Sequence, residues 1–340
     1  MFFHKILKGN IKRFIVIIKK ILILLLFLLN LHKKKYYLND VNKVFHIKIK
    51  NNKKYIYSHI KFAIIKRTNC PTCGLFSFYI VHLGCINKYL NLGYIPIIDL
   101  KSFPNIYNCF NISNKNIWEI FFDQPYGFKL EEVLKMSKKL AYFECTSNEN
   151  RPDPINSYYN KLLIDFWHNF SKKYMPIKSR IINESFNIMK KLFNNSDNVL
   201  GVKMRGTDYI SLKLKDHPIP PSLNKVFLDI KKMNKKYKYD WIFIATEDDM
   251  IKEKFIIKFK NNIKYLNPKY KINYNYKTKE FITLSKNVKC NIDYTKNYLI
   301  NIIILSKCKD IIAAKGSGTI AIFILNNRIR NSIIYNLGEY

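Results

Sequence analysis

Acidic side chains are scarce in this 340-residue chain: 24 Asp and Glu stand against 59 Lys and Arg, a formal charge of 59 − 24 = +35. Such an imbalance invites a nucleic-acid partner. The rest of the composition argues against one. Glycine is also rare, with 10 residues, while Lys, Ile, Asn, Tyr and Phe abound. The abundant types share AT-rich codons, so nucleotide bias accounts for much of the lysine. Lysine far outnumbers arginine, whose planar fork is the one suited to bases. The lysines also spread over helices and linkers alike, without the basic, aromatic-studded face that single strands require. No nucleic-acid partner is expected. What remains is a field that attracts phosphorylated substrates and anionic membranes.

Other absences narrow the choice further. The seven Cys are odd in number and scattered, which excludes a full disulfide framework. Cys70 and Cys73 form a CxxC, but no second pair follows to complete a zinc site. Reduced structural thiols and no metal are therefore expected. There is no P-loop, no dinucleotide fingerprint and no internal repeat. With 48% hydrophobic and 15% aromatic residues, the chain is folded and long enough for two domains.

The N-terminus carries "FIVIIKKILILLLFLLNL", residues 14–31, which is apolar but for Lys19 and Lys20. Its uncharged part is shorter than the roughly 20 residues a spanning helix needs. Lysines crowd both flanks, and no small-residue cleavage site follows, against a removed signal peptide. A short anchor or an interfacial helix on anionic headgroups is expected, making the protein membrane-associated.

Further on, "KFAIIKR" (61–67), a helical stretch opened by "GLFSFY" and stopped at Gly93, and an apolar run ending at Asp99 predict a βαβ unit. The segment "IWEIFFDQPYGFKLEEVLKMS" holds a short apolar piece, a turn at residues 125–127 and a helix, and two helices part near Pro176. Three strands then end alike. "NVLGVKM" runs into "RGTD", "DWIFIAT" into "EDD", and "CKDIIAA" into "KGSGT" ahead of a helix. In an open α/β sheet the carboxyl ends of such strands line the ligand crevice.

The chemistry follows from those turns. Gly316 and Gly318 let the backbone approach an anion at a helix start, where free N–H groups and the dipole favour negative charge. Ser317 and Thr319 add hydroxyls. Arg205, at the end of the first of these strands, suits a pyrophosphate clamp with Lys203 beside it, although a salt bridge to Asp208 would explain it as well. Glu247 and Asp248 can accept from a ribose or base, or cap the next helix. Gly206 and Thr246 complete the expected donor-side residues.

"GVKMRGTDY", "HPIPP", "FIATEDD" and "AAKGSGTIAIFILN" occur in the order seen in the fucosyltransferase superfamily of the α-1,6-fucosyltransferases and bacterial nodulation-factor enzymes, which residues 60–340 resemble. "GLFS", "GYIPIIDL", "NIWEIFFDQP" and "LEEV" extend the resemblance to the first half. It implies an α/β GT-B fold of two Rossmann-like domains with parallel sheets facing a cleft. The N-terminal hydrophobic helix and linker (1–38) would precede an acceptor-side domain (39–190) and a nucleotide-sugar domain (191–340). It further implies inverting, metal-independent transfer of fucose from GDP-fucose to a glycan hydroxyl, with no cofactor. Arg205 would hold the β-phosphate, Asp208 would fix its loop, Asp248 would meet the nucleoside, and Ser317 with its neighbours would bind phosphate. Two positions depart from the family: Lys203 replaces a His, and Gly206 a second Arg. A sugar-nucleotide binder without catalysis is the alternative these departures raise. No D-x-D motif is present to hold a metal on the diphosphate, so cationic side chains must do so. The base that deprotonates the acceptor is sought among Asp208, Asp123 and His217.

Overall fold

The computed structural model describes residues 60–340 apart from 108–114, 147–149, 154–156, 214, 216, 268–273, 275, 278–280, 285–287 and 290. The apolar stretch 14–31 and the linker after it lie outside the described residues. Among those residues, no helix is long and apolar enough to cross a membrane.

Two parallel sheets organise the chain. The first has the order β2-β1-β3, with β1 Phe62–Lys66, β2 Ile95–Ile98 and β3 Leu140–Glu144. Between β1 and β2 runs helix α1, Leu75–Asn91, which Gly93 terminates at φ +80°. β1 is buried on both faces and reads FAIIK, the near-continuous apolar run that a covered parallel strand requires. Short helices α2 (Trp118–Phe121) and α3 (Leu130–Met136) flank a tight turn at Pro125–Gly127, and β3 follows.

Helices α4 (Lys161–Tyr174) and α5 (Ser179–Phe193) lead into the second sheet, of order β6-β5-β4-β7-β8. Its strands are β4 Val199–Lys203, β5 Trp241–Ala245, β6 Ile263–Lys264, β7 Asp310–Ala314 and β8 Asn331–Tyr335. Between them come α6 (Asp208–Leu212), α7 (Leu223–Tyr237), α8 (Asp249–Phe259), α9 (Ile292–Lys307) and α10 (Ser317–Leu325). α10 is buried from Gly318 to Ile324 because it packs on α1 and α4 of the first half and on α9 of its own. That explains a helix with almost no polar face. One hydrophobic core runs through both halves, from Phe76 and Trp118 to Ile303 and Ile322.

The cysteines depart from expectation. Cys70 pairs with Cys73, and Cys85 with Cys145, at Cα separations of 5.4 and 6.3 Å that suit disulfides; among the described residues Cys308 is free and buried. The second pair staples α1 to the end of β3 across 60 residues, a span no spacing rule reveals.

Candidate active site

Register brings the three strand ends together. Lys203, the last residue of β4, pairs with Ala245 of β5 on one side and with Ala313 of β7 on the other. The loops that follow, 204–207, 246–248 and 315–316, therefore open side by side on one sheet edge.

Arg205 is enclosed there. Its Nη2 donates to Asp208 Oδ1 at 3.0 Å, its Nη1 lies 3.4 Å from Glu247 Oε1, and its Cζ sits 4.5 Å over the ring of Tyr209. Burial opposes its charge, but Glu247 and then Asp208 more than offset it and hold the guanidinium charged. Its side chain keeps 25% of its exposure, so one edge stays open to a ligand. Lys203 has no such carboxylate cage. Burial and the neighbouring Arg205 push its pKa down to about 8, with Glu247 opposing.

The loop that follows Arg205 is held under strain. Thr207, β-branched, adopts φ +44°, a region such residues avoid. Three groups fix it there. Its N–H donates to Asp248 Oδ2 at 3.1 Å, while Gly206 N–H donates to Glu247 Oε1 at 2.9 Å. The Thr207 hydroxyl lies between Asp208 Oδ1 and Glu247 Oε1, at 3.1 and 3.2 Å. Gly206 has no alternative at its position, since a β-carbon would stand 2.0 Å from Asp248 Oδ2.

The Gly-Ser turn meets this loop through Lys203. A β-carbon on Gly318 would lie 3.1 Å from Lys203 Cε and 2.5 Å from the Tyr298 hydroxyl, so only glycine lets α10 begin beside them. Gly316, at φ +147°, gives its N–H to the Tyr158 hydroxyl at 3.1 Å. The first-turn amides of Ser317 and Gly318 are the donors left to face an anion. Thr319 points inward instead: it is fully buried and its hydroxyl donates to Ala314 O at 2.6 Å.

The carboxylates expected at the site serve the loop. Asp248 caps α8 by accepting from Ile251 N at 3.2 Å, and its other oxygen also takes the Tyr276 hydroxyl. Asp248 N–H in turn donates to Thr246 Oγ1 at 3.2 Å. Asp208 is 2% exposed, accepts from Arg205 and Thr207, and lies 3.4 Å from Ile282 N. A carboxylate so enclosed organises Arg205 and is closed to an incoming hydroxyl. Asp123 is ion-paired with Lys178 in the first half. His217 stays close: its ring stands edge-on to Tyr209 at 5.3 Å, and its Nδ1 lies 3.1 Å from Lys215 O. It is thus the second ring out from Arg205.

Sequence reasoning missed the aromatic wall. Tyr209, Tyr294 and Tyr298 surround Arg205, and burial raises the pKa of all three, with Arg205 opposing. They remain neutral phenols. The spacing of Tyr294 and Tyr298 on one face of α9 was a signal, but 24 tyrosines in the chain hid it. Among the described residues, no cluster of three His, Cys, Asp or Glu could hold a metal.

No protein-family model matches this chain, and no curated protein sequence matches it. Several solved structures are similar. A NodZ α-1,6-fucosyltransferase soaked with GDP-fucose shares 12% identity at a TM-score of 0.48, over 82% of this chain and 96% of that one. The fucosyltransferase NodZ from Bradyrhizobium shares 13% at 0.47, over 77% and 92%. POFUT1 in complex with GDP-fucose shares 10% at 0.38, over 82% and 74%.

Proposed function

We propose that this chain is a GT-B glycosyltransferase that moves fucose from GDP-fucose to a hydroxyl of a glycan, inverting and without a metal ion. The observation that carries the reading is the placement of Lys203 beside the start of α10, with Arg205 two residues on in a loop pinned by Glu247 and Asp248. A leaving diphosphate needs its growing charge met by fixed donors. A guanidinium, an ammonium and a helix N-terminus on one sheet edge supply them. The choice of donor rests on the motif resemblance of residues 201–209 and 313–326. His217, edge-on to Tyr209 and neither buried nor ion-paired, is the residue to which we assign the acceptor proton.

Calorimetry with GDP tests the reading. Binding in EDTA equal to that in buffer is expected, and turnover that survives EDTA should accompany it. Activity lost on chelation and restored by manganese would overturn the metal-independent mechanism.

Lys203 makes the affinity pH-dependent. An adjacent diphosphate raises its pKa above the free value of about 8. Below pH 8 the ammonium is present before and after binding, so affinity is level. Above it, binding must take up a proton, and affinity should fall by up to about tenfold per pH unit. Lys203→Met should bind weakly and with a flat profile from pH 7 to 9.5; an unchanged slope would show that Lys203 does not face the ligand.

Residues 14–31 are proposed to hold the protein on a membrane, each flanking lysine adding about 1 kcal/mol on an anionic surface. Lys19 and Lys20 disfavour full spanning, at about 2.5–3.5 kcal/mol for a Lys at the bilayer centre. In flotation with anionic liposomes the full chain should rise and residues 40–340 should not. If both stay in the soluble fraction, the anchor is wrong.

A further inference from the structure

A second cationic cluster stands in the first half, and the donor chemistry does not use it. Arg67 follows β1, whose last residue, Lys66, pairs with Glu144 at the end of β3, so Arg67 lies at the carboxyl edge of the first sheet. It is 6% exposed. Its Nη1 donates to Ser77 O at 3.1 Å and to Ser77 Oγ at 2.9 Å, and its Cζ lies 5.7 Å from the Phe78 ring. Its Nε is buried with no partner.

Arg151 reaches the same face of α1 two turns on, where a β-carbon on Gly84 would stand 3.0 Å from Arg151 Cβ. The two guanidinium groups feel each other. Burial and then Arg151 push the pKa of Arg67 down to about 10, with Glu144 opposing. His82, on the next turn of α1 from Phe78, is fully buried with both ring nitrogens unpartnered, and burial and then Arg67 keep it neutral. Burying a cation beside another cation and leaving its donor unmet costs several kcal/mol unless something answers it.

The location says what could answer it. The loop after Arg67 crosses to the second half, where Thr72 O accepts from Thr283 Oγ1 at 3.2 Å. Ile282, next to Thr283, lies against Asp208, the partner of Arg205. The loop that follows Arg67 therefore reaches the segment that backs the Arg205 loop.

We propose that Arg67 and Arg151 form an acceptor subsite for a sugar carrying an oxyanion: carboxylate, sulfate or phosphate. Arg151, half-exposed, meets the anion first, and Arg67 Nε supplies the second donor from behind. Asp153 offsets part of the Arg151 charge, but a neutral sugar leaves the Arg67 charge and its Nε unanswered, so the pair selects charged acceptors. Calling the ligand an acceptor rests on the glycosyl-transfer reading; the site itself does not.

Titrating the full-length protein with glucuronate, glucose 6-sulfate, glucose 6-phosphate and glucose tests this. At least one charged sugar should bind about tenfold or more tightly than glucose, and the strongest of the three identifies the anion. Arg151→Gln, which alters a half-exposed loop, should remove that preference even if Arg67→Gln proves too unstable to measure. Arg205→Ala should keep it. Glucose binding as well as the charged sugars, a preference intact in Arg151→Gln, or one lost in Arg205→Ala would each overturn the subsite. A parallel GDP titration separates the two readings. Charged-sugar preference without GDP binding supports the subsite and sinks the transfer reading, and GDP binding without the preference does the reverse.

Discussion

Arg205→Ala is expected to abolish measurable transfer and to weaken GDP binding by about a hundredfold to ten-thousandfold, the equivalent of two charge-assisted bonds at about 1.5–3 kcal/mol each. The structure adds a second reason for a large effect. Without the guanidinium, the charges of Glu247 and Asp208 stand uncompensated beside the emptied position, and they repel the diphosphate that Arg205 would have held. Arg205→Lys should recover little, because one ammonium cannot meet Glu247, Asp208 and the ligand together. Adding Glu247→Gln to Arg205→Ala should restore part of the binding by removing one of the repelling charges. Calorimetry with GDP reads all three variants. Wild-type affinity in Arg205→Ala would sink the assignment.

Gly206→Ala should be nearly as damaging through packing alone. A methyl group 2.0 Å from Asp248 Oδ2 has to expel that carboxylate, which caps α8 and holds both Thr207 N and Tyr276. Overpacking of this kind costs about 1–3 kcal/mol. The melting temperature should fall by about 2–12 °C, and GDP binding should be lost even where the protein is still folded, because Thr207 can no longer keep its strained φ. Gly74→Ala is the matched control: its β-carbon would meet nothing within 4 Å, and its φ of −72° suits any residue. Equal binding in Gly206→Ala and Gly74→Ala would mean the loop is not pinned as described.

Much of this was legible from residues. The strands ending at Lys203, Ala245 and Ala314 announce themselves as apolar runs broken by Arg, Glu or Gly. Their convergence follows from parallel register. Other elements were hidden for physical reasons. β3 reads LAYFE and is only partly buried, and β6 has two residues, so neither shows a clear apolar run. β8 follows a polar turn and looks like a loop tail. In the site, Lys203 reaches the Gly-Ser turn, and Arg205 stands in the loop that follows it. What each acid does was not readable: Asp208, Asp248 and Glu247 all turn inward on the loop. A carboxylate in a motif can bind ligand or backbone, and only distance separates the two. Thr319 is the same case for a hydroxyl. The Cys85–Cys145 pair depended on a fold that brings α1 to the end of β3.

The central claim is that this sheet edge transfers a sugar from a nucleotide donor. The most direct measurement is release of nucleoside diphosphate by the detergent-solubilised full-length protein, screened across nucleotide-sugar donors in EDTA with a mixed glycan acceptor pool. GDP released from GDP-fucose, dependent on acceptor and absent in Arg205→Ala, is the result the structure predicts. No release from any donor by a protein that binds GDP would leave a sugar-nucleotide binder in place of an enzyme, and would contradict the claim.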